Sequence, residues 1–275
     1  MMNKTAKRRA FGQHFLKDSH LASQIAERTI EETLKHQCSA LLEIGPGRGA
    51  ITNPLLSLLK QNQEIGEFRL VEKDFKLAEF WRETAPKDLP CRVEEADFLD
   101  LPKEKWLQKT PLAVVSNLPY SAGTAILKVL AVELTSIPVM VLMFQAEVAK
   151  RLRAEAETKE RGSLSLWIQN HWDVEKLFSV SPKSFSPPPA VNSEVVLLTR
   201  RNSPRILLAA QKPELWESLL RVCFAHRRKM LRSVLPWKNA LELAAVDGTK
   251  RAEALSWVEW DRLLQAVEQT LEQKL

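Results

Sequence analysis

Three glycines, at positions 45, 47 and 49, lie in the segment LLEIGPGRGAIT, directly after an apolar run typical of a strand. Glycine lets a backbone turn sharply and approach a ligand closely because it has no Cβ. The dinucleotide-binding fingerprint has the spacing GxGxxG, whereas this loop has GxGxG and an acid, Glu43, two positions before it. A tight turn that binds nothing also fits the glycines alone. We interpret Gly45 and Gly47 as candidate contacts of a nucleoside cofactor.

Two acidic side chains follow the next two predicted strands. Glu72 ends the run EFRLVE, and Asp97 follows the run CRVEE. A carboxylate at such a position can accept hydrogen bonds from both ribose hydroxyls, and another can accept from an adenine amino group. Each acid alone fits a solvated loop, but the carboxyl ends of successive parallel strands form the ligand-binding edge of an open α/β sheet. Glu72 and Asp97 are therefore predicted to bind the same nucleoside.

The fourth predicted strand ends in VVSNLPYSAGT, which places four residues at that edge: Asn117, Leu118, Pro119 and Tyr120. An aromatic amine is a poor nucleophile because its lone pair is delocalised into the ring. The Asn117 side-chain oxygen and the Leu118 carbonyl would favour a tetrahedral nitrogen and stabilise the charge that develops there. Pro119 would fix the turn, and Tyr120 would stack on the base. The tetrapeptide predicts transfer of a methyl group from a sulfonium to an aromatic amine, with no general base needed before that step.

Short β-rich runs alternate with helical patterns from residue 40 onward, which is typical of a parallel sheet covered by helices on both faces. Strands are predicted at 40–44, 67–72, 91–95, 112–116 and 138–144, and helices at 18–35, 50–60, 74–84, 121–134 and 145–158. Two further strand-like runs, around 164–180 and 193–200, predict an antiparallel addition to a doubly wound sheet. The expected fold class is α/β, with a Rossmann-like sheet.

A second, smaller unit is predicted after residue 200. The segment RNSPRILLAAQKP contains two prolines and is interpreted as a linker, and the chain beyond it is helical in pattern. The predicted division is a catalytic domain at 1–200, with a basic arm at 1–17, and an all-α domain at 201–275. The longest apolar run, 137–144, is too short to cross a bilayer. No secretory signal is recognised either, so a cytoplasmic location is expected.

The metal-ligating residue types are scattered. Cys38, Cys91 and Cys223 form no CxxC pair, and the five histidines show no HExxH spacing. Neither a disulfide framework nor a metal site is expected.

The net charge of +6 is unevenly distributed. Residues 1–20 carry a net +4, residues 21–199 carry −3, and residues 200–275 carry +5. In a helix predicted from about Trp216 to Leu235, three arginines at positions 221, 228 and 232 fall within about 40° of arc. Basic ends of this kind fit a polyanion, either nucleic acid or a membrane surface, although a solvated charged face is also common. The candidate RNA contacts are Lys4, Lys7, Arg8, Arg9, Arg221, Arg228 and Arg232.

Taken together and in this order, the motifs resemble the rRNA adenine N6-dimethyltransferase family, and within it the small-subunit type. They stand here as FGQHFLKD, LLEIGPGRGAIT, VEKD, EEADF, SNLPYSAGTAIL, LMFQAEVAKRL, GSLSL, FSPPPAVNSEV and FAHRRKMLRSVL, and they span about Phe11 to Leu235. Three positions depart from the family pattern: His14 replaces an asparagine, Arg161 a tyrosine and Asn192 an aspartate.

The resemblance implies S-adenosyl-L-methionine as cofactor, contacted by His14, Leu16, Gly45, Glu72, Asp97 and Asn117. It implies that two adjacent adenosines in the 3′-terminal hairpin loop of small-subunit (16S) rRNA each receive two methyl groups, which gives the protein a role in ribosome biogenesis. The target adenine would be flipped out and held by Tyr120 and Phe185. The implied partner is the small ribosomal subunit or its precursor, with no membrane and no metal, and nothing in the sequence demands a dimer.

Three alternatives stay open. A large-subunit rRNA adenine methyltransferase resembles the first two-thirds of the chain but usually has isoleucine at position 118. A DNA adenine methyltransferase would more typically have Asp-Pro-Pro-Tyr or Asn-Pro-Pro-Tyr in place of SNLPY. A non-catalytic assembly or transcription factor on the same fold would not need Asn117 and Tyr120.

Overall fold

The structure is a computed structural model that describes residues 14–237 and 239–273. In chain order the strands are β1 (Phe15–Leu16), β2 (Ala40–Ile44), β3 (Phe68–Glu72), β4 (Cys91–Glu95), β5 (Leu112–Asn117), β6 (Val139–Gln145), β7 (Trp172–Val180), β8 (Phe185–Ser186) and β9 (Ser193–Arg200). The α-helices are α1 (Ser19–Lys35), α2 (Thr52–Leu59), α3 (Phe75–Thr84), α4 (Lys103–Trp106), α5 (Gly123–Ala131), α6 (Ala146–Leu152), α7 (Ser163–Gln169), α8 (Leu207–Gln211), α9 (Pro213–Ala225), α10 (Leu231–Val234), α11 (Ala240–Leu243) and α12 (Trp257–Glu272).

A seven-stranded sheet has the order β4-β3-β2-β5-β6-β9-β7. Strands β2 to β6 pair in parallel, and β9 pairs antiparallel with β6. The chain leaves β2 toward β3 on one side and later returns to β5 on the other side, so the strand order reverses between β2 and β5. Loops at the carboxyl ends of two such strands diverge and leave a crevice. The predicted doubly wound sheet with an antiparallel addition is confirmed.

The residues of the central strands explain their burial. All five residues of β2 are buried, as are those of β3, because strands of a parallel sheet are covered on both faces. Most of these residues are apolar, and the buried charged ones are Glu43, Arg69 and Glu72. Helix α1 is capped by Asp18, whose side chain accepts a hydrogen bond from the N–H of Leu21, and the helix packs Ile25 and Ala26 into the core. Helix α3 is capped in the same way by Asp74.

The run at 164–180 is not one strand. It forms helix α7 followed by strand β7, and the helix expected at 145–158 ends at Leu152. The alternation in SLSLWI suggested a strand, but the Ser165 hydroxyl accepts from the N–H of Gly162 at 3.0 Å and closes a helical first turn. Leu166 of this helix is fully buried in a cluster with Trp216 and Trp260.

The chain divides into two compact units, residues 1–149 with 174–200 and residues 150–173 with 201–275. The second unit is helical in its last part, as expected, but it also includes 150–173, because α7 belongs to its core. The segment interpreted as a linker is packed rather than extended: Ile206 and Ala209 are each 1 % exposed, and α8 lies within it. Within the described residues, no helix is both long and apolar enough to span a membrane.

The helix predicted from Trp216 to Leu235 is interrupted. Helix α9 ends at Ala225, residues 226–230 form a turn, and α10 begins at Leu231. The N–H groups of Leu231 and Arg232 donate to the carbonyls of Lys250 and Gly248, at 2.9 and 3.0 Å. The start of α10 is therefore held by a segment remote in sequence.

Candidate active site

The loop between β2 and α2 passes three times through left-handed backbone, at Gly45 (φ 69°), Gly47 (φ 56°) and Gly49 (φ 83°). Residues with a Cβ are strained at such angles, so the conformation itself requires glycine. A Cβ added at Gly45 would meet no atom within 4 Å. The loop therefore presents bare backbone at the carboxyl end of the central strand.

Trp81, on α3, supports this loop from behind. Its indole Nε1 donates to the Gly47 carbonyl at 3.0 Å, and the residue is 2 % exposed. A Cβ at Gly49 would lie 2.6 Å from two carbons of the indole, so the glycine makes room for the ring. Sequence analysis missed Trp81; the available signal was its position three residues after Ala78, which places both on one face of the helix.

Glu72 ends β3 and is joined to the glycine loop. Its carboxylate accepts from the N–H groups of Gly47 and Asp74, each at 2.9 Å. Burial raises the pKa of this carboxyl group, against the lowering by the N–H donors. Each carboxylate oxygen retains a further lone pair, so the group can still accept from a diol while it holds the loop.

Asp97, after β4, is held by a cation instead. Its Oδ2 accepts from the Lys73 ammonium at 2.5 Å, and its Oδ1 accepts from the N–H of Leu99 at 3.1 Å. The hydrogen bond from Lys73 lowers the pKa of Asp97, so this group is an anion at neutral pH. Sequence analysis did not identify Lys73 as its partner.

Glu43 is a further acid in this region, to which sequence analysis gave no role. It is 2 % exposed, and its Oε2 has no hydrogen-bond partner among the described residues. Burial raises the pKa of Glu43 to about 8, and the nearby Glu72 adds to the rise. The carboxyl group is thus mostly protonated at neutral pH.

The tetrapeptide at 117–120 begins at the last residue of β5. The Asn117 amide nitrogen donates to the His14 carbonyl at 3.4 Å, which leaves the amide oxygen for another donor. The Pro119 carbonyl accepts from the N–H of Gly123 at 2.8 Å, so the first turn of α5 fixes the path of the tetrapeptide. Strand end and helix start together hold these groups in place.

Tyr120 is anchored at its hydroxyl. The Tyr120 oxygen lies 2.6 Å from the Ser193 hydroxyl, and its ring centre lies 5.5 Å from the His14 imidazole, tilted by 34°. Burial raises the pKa of Tyr120, so the phenol stays protonated. His14 Nδ1 donates to the Pro187 carbonyl at 2.8 Å, because a carbonyl can only accept.

Two motifs that are far apart in the sequence meet in a small ribbon. Strands β1 and β8 pair antiparallel, with Phe15 opposite Ser186 and Leu16 opposite Phe185. Leu16 and Phe185 are 7 % and 1 % exposed and belong to the main core. The ribbon brings the FGQHFLKD and FSPPP segments to one side of the site.

One cavity of about 370 Å³ joins all these groups. Its volume is within the range of small-molecule sites. Its wall includes every described candidate for cofactor, target and catalysis: His14, Leu16, Gly45, Gly47, Glu72, Asp97, Asn117, Leu118, Pro119, Tyr120 and Phe185. In the described part of the chain, no group of three or more His, Cys, Asp or Glu residues is arranged to hold a metal ion.

The basic candidates are placed differently. Lys4, Lys7, Arg8 and Arg9 lie outside the described residues. Arg221 lies in α9, Arg228 in the turn and Arg232 in α10, and all three are exposed. The prediction that they share one arc of a continuous helix is wrong, because the helix stops at Ala225.

Comparisons with known proteins identify the family of this chain. A family model described as ribosomal RNA adenine dimethylase matches residues 4–268. The ribosomal RNA small subunit methyltransferase A of Alcanivorax borkumensis is 36 % identical over 259 residues, which cover 93 % of this chain and 88 % of the relative. That of Chlorobium luteolum is 38 % identical over 254 residues, covering 91 % and 86 %.

Solved structures show the same architecture. The 23S rRNA methyltransferase ErmE is 25 % identical with a TM-score of 0.65, covering 92 % of this chain and 99 % of that one. A dimethyladenosine transferase from Plasmodium falciparum is 21 % identical with a TM-score of 0.69, covering 94 % and 98 %. These likenesses confirm the predicted methyltransferase fold. With the family model matched over nearly the whole sequence, the chain belongs to the ribosomal RNA adenine dimethylase family.

Proposed function

We propose that this protein dimethylates the N6 amino groups of two adjacent adenosines in the 3′-terminal hairpin loop of 16S rRNA, with S-adenosyl-L-methionine as methyl donor. The observation that carries the proposal is the meeting of Asn117, Tyr120 and the glycine loop on one cavity. The small-subunit substrate is supported by the relatives above 30 % identity, which are named for that subunit. Assembly of ribosomes places the reaction in the cytoplasm, and the protein acts as a monomer.

The cavity fits a nucleoside sulfonium. The Gly45 backbone is bare, Glu72 keeps lone pairs for ribose hydroxyls while it holds Gly47, and Asp97 is an anion able to accept from an adenine amino group. The unpaired Glu43 oxygen leaves one more polar contact available in the wall. His14 and Leu16 close the site from the β1 side. When bound, the cofactor supplies an electrophilic methyl group.

The tetrapeptide at 117–120 receives the target amine. The Asn117 amide oxygen and the Leu118 carbonyl accept from its N–H groups, favour a tetrahedral nitrogen and stabilise the positive charge that builds on it. Tyr120 stacks on the base, and Phe185, which is 1 % exposed, supports the wall of the cavity from the ribbon. After the nitrogen gains the methyl group it is acidic and gives its proton to water. No side chain has to remove a proton beforehand.

RNA is held outside the cavity by electrostatics. We assign this role to two groups of cations. One is the basic arm at Lys4, Lys7, Arg8 and Arg9, and the other is Arg221, Arg228 and Arg232 in the second unit. Contacts of this kind go to phosphates and position RNA without reading its sequence.

The decisive test is to follow radiolabelled methyl groups from S-adenosylmethionine into small and large ribosomal subunits from cells that lack this gene. We expect label in the small subunit only, and dimethyladenosine at two adjacent positions of the 3′-terminal hairpin when the rRNA is mapped. Label in the large subunit alone would show a 23S-directed enzyme. Binding to the small subunit without any transfer would show an assembly factor.

A further inference from the structure

Arg48 is a cation of the cavity wall for which the proposed chemistry has no use. It lies between the last two glycines of the loop, is exposed, and places its guanidinium carbon 4.7 Å from the centre of the Phe15 ring. Within the described residues its side chain forms no ion pair and donates no hydrogen bond. The contact with the Phe15 ring positions the guanidinium carbon and leaves its N–H groups available.

The other basic groups of the wall are already engaged. Lys73 holds Asp97, and His14 donates to the Pro187 carbonyl. Arg48 therefore differs from them in keeping its donors for a ligand from outside the described chain.

A second exposed cation, Lys17, lies on the face of the ribbon that carries Phe15. Side chains alternate along a strand, so Phe15 and Lys17 point away from the buried Leu16. The Lys17 N–H donates to the Ser184 carbonyl at 2.8 Å, which extends the ribbon backbone to this residue. Its ammonium, like the Arg48 guanidinium, has no ion-pair or hydrogen-bond partner among the described residues. We call Arg48 and Lys17 the rim cations.

We propose that the rim cations bind consecutive phosphates of the RNA strand that delivers the adenosine to the cavity. The inference rests on the proposed function. An arginine fork matches phosphate oxygens in geometry, and a lysine serves as a point charge beside it. The carboxylate of the cofactor is the other oxyanion available here, but a single carboxylate does not account for two exposed cations along one face, whereas a chain of repeated anions does.

The experiment measures binding of the full-length protein to two RNAs over a series of KCl concentrations: the 3′-terminal 16S hairpin and an unrelated hairpin of equal length. Arg48→Ala and Lys17→Ala should each reduce the slope of log K against log [KCl] by about 0.7 to 0.9, and the double variant by about twice that. Both RNAs should show the same reduction. Arg48→Lys keeps the charge and should restore the slope. Arg92→Ala, an exposed arginine on β4 that contacts Gln108, is the matched control and should change nothing.

The KM for S-adenosylmethionine distinguishes the two oxyanions. If Arg48→Ala raises that KM and leaves the RNA slope unchanged, Arg48 binds the cofactor carboxylate and the proposal is overturned. If Arg48→Ala changes neither that KM nor the RNA slope, the proposal is overturned as well. If the wild-type protein binds the hairpins but methylates no small-subunit substrate, the proposed function fails, and the slopes still decide the role of the rim cations.

Discussion

The cavity wall of the first unit and the arginine segment of the second, residues 221–232, hold their functional groups in different ways. In the wall, Glu72 is buried and receives two backbone N–H groups, and the Gly47 peptide is bonded on both sides, by Glu72 and Trp81. In the arginine segment, the candidate side chains are exposed and lie on three separate pieces of backbone.

The difference corresponds to two functions, stabilising charge at a reacting atom and attracting a polyanion. Groups that stabilise charge at a reacting atom need fixed positions in a site from which water is excluded, because there each hydrogen bond has a large energetic effect. Groups that attract a polyanion need only charge near its path, and their effects are screened by salt and roughly additive. Single substitutions should therefore be severe in the wall and mild in the arginine segment.

The severest loss is expected from Asn117→Ala, which removes an acceptor aimed at the amine. We expect kcat to fall about 10²- to 10³-fold, the usual cost of losing one such group. Single-turnover methylation of small subunits measures it. Asn62→Ala is the control, because the Asn62 side chain only contacts the Leu58 carbonyl. A fall in kcat of less than about threefold would show that Asn117 does not take part in the reaction. Single substitutions in the wall would then be as mild as those in the arginine segment.

Glu72→Gln should weaken cofactor binding about 10- to 100-fold. A glutamine amide has a single oxygen, so its NH₂ group would face the N–H of Gly47 or Asp74 and leave a buried donor unpaired. Asp97→Asn should cost less, since Asp97 is partly exposed and takes one of its bonds from an exposed lysine side chain. Calorimetric titration with S-adenosylmethionine measures both. Glu95→Gln, at a surface pair with Arg82, is the control, and equal losses at all three acids would contradict the ranking.

Glu43 tests whether the buried wall controls stability as well as activity. Its pKa, about 8 in the fold, lies above the usual 4.5, so the folded state binds more protons than the unfolded state between these values. Stability should fall as pH rises through this window and level off above pH 8. Glu43→Gln removes that component, so the Tm of the variant should fall by a few degrees less between about pH 5 and 8. Glu95→Gln should keep the wild-type profile, and an unchanged profile in both would mean that Glu43 is ionised in the fold.

The same contrast explains what the sequence could predict. The ends of β2, β3, β4 and β5 meet at one edge in any parallel sheet of this order, so Gly45, Glu72, Asp97 and Asn117 could be assigned to one site from strand positions alone. The arginine arc depended on an unbroken helix. That helix ends at Ala225, and bonds from Leu231 and Arg232 to residues 248–250 fix the start of the next one. A local sequence pattern does not report partners so far away in the chain.

Two other features could not be assigned from a one-dimensional pattern alone. Leu164, Leu166 and Ile168 alternate as in a strand, yet they lie in α7, since a short apolar alternation fits both structures. Trp81 was missed because its role is a contact between α3 and a loop more than thirty residues earlier.

In the arginine segment, we expect each single alanine variant at positions 221, 228 and 232 to weaken RNA binding only slightly and the triple variant to weaken it about tenfold. The slope of log K against log [KCl] should fall by about 0.7 to 0.9 for each arginine that contacts a phosphate. Filter binding across a salt series measures this. Arg262→Ala, an exposed arginine of α12, is the control. If one single variant abolished RNA binding, this segment would be a fixed site like the wall. An unchanged slope in the triple variant would show that the segment does not bind RNA.

Trp81→Phe should give the smallest change, about a threefold rise in the KM for S-adenosylmethionine with kcat unchanged. Phenylalanine keeps most of the packing against Gly49 but removes the donor to the Gly47 carbonyl, so the loop loses one of two bonds while Glu72 still holds its N–H. Trp106→Phe is the matched control, since Trp106 is equally buried but packs on Phe98. A general loss of stability would lower the activity of both variants alike. A role in positioning the loop would raise only the KM of the Trp81 variant. If kcat fell instead, the loop would act on the reacting methyl group itself, and the fixed geometry of the wall would extend one layer behind the atoms that touch the cofactor.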